Sequence, residues 1–467
     1  MLVIMVRMNR NGNLFLVMAS PMKLVIWGLV MLSLTPPLYA QVSFAPAVNY
    51  TVGMWPDSVV AQDVNGDGKV DLVYRNSGPF TLSILTNGGN GDFALAPAPS
   101  VDGGVDWVGA PDVRGCGKVD LICASYYELD TISVLTNQGN GGFALSSKLE
   151  LPYADYDFMA ADMDRDGRAD LICASNRRIL AVLTNNGSGG FSGDALYATG
   201  TWPWSGPVAV MAADVNGDGE MDLICANGYA NTLSVLTNNG RGGLILADTL
   251  AVGASPYTAA VADINGEGKV ALISANSGDD TLSVLTNNGI GGFVTAGTYS
   301  VGRYPYSVVA ADLNGDGKLD LVCANALSKS LSVLTNNGSG GFGLALTVDL
   351  SDTGADWVTA ADVNGDGEMD LIAADLLGNR IGVLINTSVF PPPASTPGLA
   401  IAAQRNGIRV SWPSASAGWS LQQNADLMTT NWSLSDYSGY DIADDRTNRS
   451  LTLPWPAGSL FFRLLYP

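Results

Sequence analysis

Acidic, glycine-rich loops recur seven times along the chain, at intervals of 49 to 52 residues. The first begins at Asp63 and reads Asp-Val-Asn-Gly-Asp-Gly-Lys-Val-Asp. Side-chain oxygens at positions 1, 3, 5 and 9, with the backbone carbonyl at position 7, form the oxygen shell that a calcium ion prefers. Glycine at position 6 permits the sharp turn that this shell requires. The loop type therefore predicts calcium binding.

We number these loops 1 to 7; they begin at Asp63, Asp112, Asp162, Asp214, Asp263, Asp312 and Asp362. Loops 1, 3, 4, 6 and 7 have a complete donor set, which predicts about five calcium ions. The predicted ligands, with the position-7 residue giving its carbonyl, are Asp63, Asn65, Asp67, Lys69, Asp71, Asp162, Asp164, Asp166, Arg168, Asp170, Asp214, Asn216, Asp218, Glu220, Asp222, Asp312, Asn314, Asp316, Lys318, Asp320, Asp362, Asn364, Asp366, Glu368 and Asp370. One alternative is that these residues only make acidic turns; another is that calcium only rigidifies the fold.

The two remaining loops lack part of this donor set. Loop 2 has Arg114 and Cys116 at positions 3 and 5, which replaces two oxygen donors with a cation and a thiol. We predict that it binds no calcium and that Arg114 neutralises the remaining aspartates. Loop 5 has Ala271 at position 9, so the closing carboxylate is missing. We expect weak or absent binding there.

A period near 50 residues is typical of a repeat array or a propeller. One period, such as 307–346, contains four short strand-like segments, which make one propeller blade. Six repeats end in a fourth strand led by an apolar residue, whereas the seventh ends without one. Phe44, Tyr50, Val52 and Gly53 have the spacing of a fourth strand, so residues 42–53 are predicted to complete the last blade. The prediction is an all-β fold: a closed seven-bladed β-propeller over residues 41–390.

Segments outside this range have other patterns. In residues 1–40, an apolar run at 24–34 and a small-residue end at Ala40 are typical of a secretory signal peptide, with an uncleaved anchor as the alternative. Whether translation starts at Met1 or Met22 stays open. Residues 391–398 are a proline-rich linker, and residues 399–467 alternate like a small β-sandwich module. We therefore expect a secreted or cell-surface protein without a further transmembrane segment.

Residues 301–321 resemble the FG-GAP or VCBS-type repeat, and the match extends over roughly 42–386. That family is similar to the seven-bladed propeller of integrin alpha chains. The resemblance implies calcium loops on one face and ligand-binding loops on the other, without naming a ligand. The C-terminal Val-Ser-Trp-Pro and Phe-Phe-Arg-Leu-Leu runs look like short β-sandwich modules of bacterial exported proteins.

Composition narrows the classes of function. The chain contains no histidine, which excludes histidine-based acid–base catalysis and histidine-ligated metal sites. Its net charge of −21 argues against binding nucleic acid or anionic membranes. Four cysteines recur at one strand position of separate blades, which predicts buried thiols, and Cys116 is predicted to be partly exposed.

Aromatic and acidic residues recur where the chain enters the first strand of each repeat, at the end opposite the acidic loop. This candidate ligand-binding set is Trp55, Asp57, Asp106, Trp107, Asp155, Tyr156, Trp202, Trp204, Tyr257, Tyr304, Tyr306, Asp356 and Trp357. Such residues suit stacking on sugars or docking a peptide, although they would also suit packing between blades. We expect a monomeric binding or adhesion module for extracellular glycan or protein, without catalytic residues. The alternatives are a lyase-like polysaccharide enzyme and a purely structural scaffold.

Overall fold

The structure is a computed structural model that describes residues 42–388, with gaps at 102–103, 126–130, 140, 151–156, 176–178, 199–206, 241–242 and 351–354. Outside this range it describes nine strand segments. Contacts divide the chain into one unit of residues 40–389 and a second unit of residues 1–39 and 390–467. All regular elements in the described residues are strands, and no described helix is long and apolar enough to span a membrane.

The larger unit contains seven four-stranded antiparallel sheets, one per repeat, which we call blades 1 to 7. Their first strands are Pro56–Gln62, Trp107–Gly109, Asp157–Ala161, Ala209–Ala213, Pro256–Ala262, Pro305–Ala311 and Trp357–Ala361. Their second strands are Asp71–Asn76, Leu121–Ser125, Asp170–Ser175, Asp222–Asn227, Ala271–Asn276, Asp320–Asn325 and Asp370–Asp375. Their third strands are Thr81–Asn87, Thr131–Asn137, Ile179–Asn185, Thr232–Asn238, Thr281–Asn287, Ser330–Asn336 and Arg380–Leu384. Their fourth strands are Phe93–Ala96, Phe143–Glu150, Phe191–Ala198, Leu244–Ala251, Phe293–Ser300 and Phe342–Asp349, with Val48–Thr51 serving blade 7.

The first strands form a closed ring, because each contacts the first strand of the next blade and that of blade 7 contacts that of blade 1. The N-terminal strand Val48–Thr51 pairs antiparallel with Arg380–Leu384 and completes blade 7. A bridge between Phe44 and Asn386 extends this pairing. The predicted seven-bladed propeller and its displaced closing strand are therefore confirmed.

Burial explains why each repeat folds as it does. The second strands of blades 2 to 7 are buried along their whole length, and that of blade 1 is buried except at the half-buried Arg75. They read as largely apolar runs, since a neighbouring blade covers each of their faces. The fourth strands of blades 5 and 6 expose most of their residues and bury none fully, as edge strands do. Seven apolar clusters lie one at each interface between neighbouring blades. A blade therefore buries its apolar faces only against its neighbours, as in other repeat folds.

The cysteine prediction is confirmed. Cys123, Cys173, Cys225 and Cys323 are buried and free, and Cys116 is an exposed thiol.

The described strands of the second unit form two sheets. One joins Ile4–Met8 and Leu14–Met18 to Leu460–Leu465, Ser420–Asn424 and Ser433–Leu434. The other contains Ala400–Gln404, Gly407–Pro413, Asn448–Leu453 and Ala443–Asp444. The linker at 391–398 lies outside the described residues.

Candidate functional site

The acidic loops connect the first and second strands of each blade, so all seven lie on one face of the propeller. Loop 1 shows how the backbone orients the donors. Asp63 accepts hydrogen bonds from the amides of Gly66 (2.7 Å) and Gly68 (2.8 Å), and Asn65 accepts one from Asp67 (2.8 Å). Loops 4, 6 and 7 repeat these bonds. The side-chain oxygens at positions 1 and 3 are therefore held in place by amides of their own loop.

The aspartate at position 9 closes each complete loop from inside the protein. Asp71 is fully buried, and its two oxygens accept the amides of Val64 (3.2 Å) and Asn87 (2.9 Å). Burial raises the pKa of Asp71, and the carboxylates of Asp67 and Asp63 raise it further. The same causes raise the pKa of Asp320 to about 7. In these two loops the hydrogen bonds to the position-9 carboxylate therefore do not offset its burial and the repulsion from neighbouring carboxylates.

Loop 3 has the densest group of carboxylates. Oxygens of Asp162, Asp164 and Asp166 lie within 4.8 Å of one another. Carboxylate oxygens at this spacing around a buried fourth carboxylate suit a hard divalent cation with six to eight oxygen ligands. The donor set of loop 3 therefore fits calcium, as do the Asp and Asn donors of loops 1, 4, 6 and 7.

Arg114 crosses loop 2 at the position of the missing donors. Its Nη2 lies 2.8 Å from Oδ1 of Asp120, and its Nε lies 3.2 Å from Oδ2. Asp120 is fully buried, so the guanidinium places a positive charge directly on the carboxylate at position 9. In loop 5, Ala271 is buried at the place of the closing carboxylate. Loop 2 thus has an arginine ion pair, and loop 5 has a buried apolar residue, where a complete loop has oxygen ligands.

A seven-membered set of asparagines, which the sequence reasoning passed over, ties neighbouring loops together. Nδ2 of Asn238 donates to the carbonyl of Met221 in its own blade (3.0 Å) and to that of Met163 in loop 3 (2.8 Å). Every blade has an equivalent bond to the preceding loop, made by Asn87, Asn137, Asn185, Asn238, Asn287, Asn336 and Asn386. The signal was visible in six repeats as the recurring Leu-Thr-Asn at the end of the third strand, whereas the seventh has Leu-Ile-Asn just after it.

The candidate ligand-binding residues that the structure describes lie at or just before the start of first strands, at the end of the ring opposite the loops. Tyr257 and Tyr306 have ring centroids 3.6 Å apart, and Tyr304 stacks on Tyr306 at 5.8 Å. Burial raises the pKa of Tyr306, and the charges of Asp57 and Asp356 add to this shift. The tyrosines of blades 5 and 6 thus stack together, within electrostatic range of one aspartate of blade 1 and one of blade 7. We call Tyr257, Tyr304, Tyr306, Asp57 and Asp356 the channel mouth.

The two acids of the channel mouth differ in their surroundings. Asp57 pairs with Arg75 at 2.6 Å, and Arg75 also donates to the backbone oxygen of Asp106. Asp356 accepts the amide of Leu376 (3.2 Å). Burial raises the pKa of Asp356 to about 6, with a further contribution from Asp57. A cationic or hydrogen-bond-donating group would therefore be favoured beside Asp356.

The remaining members of the candidate set are placed differently. Trp107 packs against Phe158, and Trp357 packs at the interface of blades 7 and 1, as the packing alternative expects. Trp55 is 45% exposed. Asp106 is buried beneath the surface. Asp155, Tyr156, Trp202 and Trp204 lie outside the described residues.

Asp157, a residue that the sequence reasoning missed, lines the central channel. It accepts the amides of Phe158 (2.9 Å) and Val210 (3.0 Å) and the side-chain donor of Trp107. Burial raises its pKa to about 7. The channel has a volume of about 520 Å³ and is otherwise lined largely by neutral side chains such as Trp357. Asp157 therefore joins blades 2, 3 and 4 from inside the ring.

A closed ring of blades with an acidic loop in each defines a repeat propeller. The chain belongs to the FG-GAP-like repeat family, whose model matches residues 112–173, 162–225, 214–274, 263–323 and 312–373. No curated protein matches the sequence.

Solved structures with a similar fold have low sequence identity. Crystal structures of BBS1N in complex with ARL6DN, soaked with mercury or with lead, match at 12% and 13% identity with a TM-score of 0.54. Each match covers 77% of this chain and 99% of that chain. A putative 6-phosphogluconolactonase from Bacteroides uniformis matches at 15% identity and a TM-score of 0.47, over 65% of this chain and 97% of that chain. At this identity, the BBS1N match concerns the fold alone.

Proposed function

We propose that this chain is an exported, calcium-binding β-propeller that binds an extracellular glycan or protein at the channel mouth. The observation that carries the proposal is that the two faces of the ring present different chemical groups. Oxygen-donor loops lie on one face, and a cluster of tyrosines and aspartates lies at the other. Binding proteins commonly place variable recognition groups on a rigid scaffold in this way.

The calcium part is supported by the chemistry of the five complete loops. Each closes around a buried aspartate, and Asp71 shows the consequence, since burial and two neighbouring carboxylates disfavour its charged form. A divalent cation would offset this repulsion. With dissociation constants of about 10⁻⁴ to 10⁻³ M, millimolar calcium would add roughly 0.4 to 1.4 kcal/mol per site. Five such sites would contribute about 2 to 7 kcal/mol, comparable with the net stability of a domain.

The ligand part is supported by the channel mouth. Aromatic rings provide flat apolar surfaces for sugar rings or peptide side chains, and adjacent carboxylates accept hydrogen bonds from hydroxyl or amine groups. Tyr304 is 38% exposed beside the half-buried pair Tyr257 and Tyr306. These groups belong to adjacent blades, so ring closure holds them in register.

Arrays of glycans and peptides, probed with the calcium-loaded protein, test the ligand part. The Tyr257→Ala/Tyr306→Ala double variant should lose binding. Tyr229→Ala is the matched control, because Tyr229 is 75% exposed on a hairpin turn of blade 4 and lies outside the cluster. Calorimetric unfolding of both variants would separate lost recognition from lost folding.

Three other outcomes would contradict this assignment. Equal binding by the double variant would place recognition elsewhere. Absence of binding to every probe would favour a purely structural scaffold. Release of an unsaturated sugar, seen by its absorbance, would favour the lyase alternative.

A further inference from the structure

Arg165 occupies a loop position that glycine occupies in the six other copies. It is residue 4 of loop 3, where the other loops have Gly66, Gly115, Gly217, Gly266, Gly315 and Gly365. Its φ is +63°, in the left-handed region that glycine adopts without steric cost. A residue with a side chain is strained in this region. Its side chain makes contacts that a glycine at this position could not make.

Those contacts are with loop 4 of the next blade. Nη2 of Arg165 donates to the carbonyl of Asp218 (2.9 Å), and Nε donates to that of Gly219 (3.2 Å). Nε also lies 3.0 Å from the carboxylate of Glu220. These three residues occupy positions 5, 6 and 7 of loop 4, and two of them are predicted calcium ligands.

Loops 2 and 3 also approach each other at position 4. A Cβ added at Gly115 of loop 2 would lie 3.6 Å from the carbonyl of Gly167 in loop 3. At Gly66, Gly217, Gly266 and Gly365, the same position of four other loops, an added Cβ would meet no atom within 4 Å. A side chain at position 4 must therefore be long, as that of Arg165 is, to hold the neighbouring loop.

We propose that Arg165 couples the calcium sites of loops 3 and 4, so that metal bound at one site strengthens binding at the other. The inference rests on the proposed calcium function. Arg165 lies between the donors Asp164 and Asp166, so an ion in loop 3 fixes its backbone. Its guanidinium then holds the segment that presents the carbonyl of Glu220 to loop 4. Binding at loop 3 thus orders part of the second site in advance.

The chain contains a natural control for this coupling. Blade 7 also has a glutamate at position 7 of its loop, Glu368, but the preceding loop has Gly315 at position 4. Loops 6 and 7 thus reproduce the adjacent acidic sites without the arginine. Repulsion between two bound ions is present in both pairs, whereas the guanidinium contact is present only in loops 3 and 4.

Calcium titration calorimetry of the full chain measures the coupling in double-mutant cycles. The first cycle combines Asp166→Ala with Asp218→Ala, and the second combines Asp316→Ala with Asp366→Ala. We expect the first pair to show about fivefold favourable coupling relative to the second, near the lower end of typical values. The side chain of Arg165 is 52% exposed, which places the expectation at that end.

Repeating the first cycle in an Arg165→Gly background should reduce its coupling to that of the control pair. This variant restores the residue found in the six other loops, so it should fold. Equal coupling in both cycles, or coupling that survives Arg165→Gly, would overturn the inference while leaving calcium binding intact. Absence of calcium binding by the unmodified chain would instead overturn the proposed function and the coupling with it.

Discussion

Loop 2 allows a direct test of whether the buried aspartate at position 9 requires a positive charge beside it. Asp120 is fully buried, and both of its oxygens contact the guanidinium of Arg114. Its other bond is from the amide of Asn137 (2.8 Å). The Arg114→Ala substitution would leave this carboxylate buried without a counter-charge.

Removing one partner of a buried ion pair typically costs about 3 to 5 kcal/mol. The side chain of Arg114 is 30% exposed, so water can partly replace the guanidinium. We therefore expect Arg114→Ala to lower the free energy of unfolding by about 2 to 3 kcal/mol. Added calcium should restore little of this loss, because position 5 of the loop still holds a thiol.

The double variant Arg114→Asn/Cys116→Asp provides the converse. It restores oxygen donors at positions 3 and 5 of loop 2, so calcium can replace the guanidinium. In chelator it should be at least as unstable as Arg114→Ala. At 10 mM calcium it should recover roughly 1.4 to 2.7 kcal/mol, for dissociation constants of about 10⁻³ to 10⁻⁴ M.

Urea unfolding with and without calcium measures these differences, and titration calorimetry counts the ions. The double variant should bind one ion more than the unmodified chain. An unchanged ion count, or full stability of Arg114→Ala in chelator, would refute the idea that arginine and calcium perform the same neutralising role.

Two further predictions concern contacts between blades. Burial raises the pKa of Asp157 to about 7, against about 3.9 in the unfolded chain. Between these pH values the folded state binds more protons than the unfolded state, so the contribution of Asp157 to the free energy of unfolding falls as pH rises. Asp157→Asn should therefore flatten the pH dependence of urea unfolding at fixed high calcium, by up to about 1.4 kcal/mol per pH unit; an unchanged slope would contradict this. Asn238→Ala leaves the carbonyls of Met163 and Met221 without this donor and should lower the free energy of unfolding by roughly 3 kcal/mol in the same assay. The control Asn239→Ala, at the exposed neighbouring position, should lower it much less. Equal losses would argue against the hydrogen bonds that the asparagines make between loops.

The sequence periodicity was sufficient to predict the architecture because every repeat has the same pattern of strands, turns and loops. Apolar second strands, glycine-rich turns and acidic loops recur in phase, so one blade predicts the others. The displaced fourth strand could also be found, since Tyr50 and Val52 keep the spacing of a repeat that the C-terminal end lacks. This spacing was enough to predict that the N-terminal strand closes the ring.

Contacts between repeats were harder to predict. The alignment of repeats places Arg165 at an unusual position, but only the twist between blades shows that its side chain reaches Glu220. The recurring asparagine after Leu-Thr was visible yet resembled an ordinary turn residue. Asp157 was hidden in an apparently apolar first strand. Each case involves a polar group whose partner lies in another blade, about 50 residues or more away along the chain.

The candidate rim illustrates the same limit. Its members share a position in the repeat, yet only blades 5, 6, 7 and 1 contribute to the described channel mouth, while Trp107 and Trp357 pack against neighbouring blades. Side-chain size and the identity of the neighbour decide between exposure and packing. A single sequence contains no direct record of either.

Calorimetric unfolding of the protein in millimolar calcium and in excess chelator tests the central claim most directly. Calcium should raise the free energy of unfolding by about 2 to 7 kcal/mol, and Asp67→Ala or Asp166→Ala should each remove roughly 0.4 to 1.4 kcal/mol of that gain. Asp263→Ala, in the loop that lacks its closing carboxylate, is the matched control and should change the calcium-dependent gain little. Identical unfolding in calcium and chelator would contradict the account and would leave the loops as acidic turns.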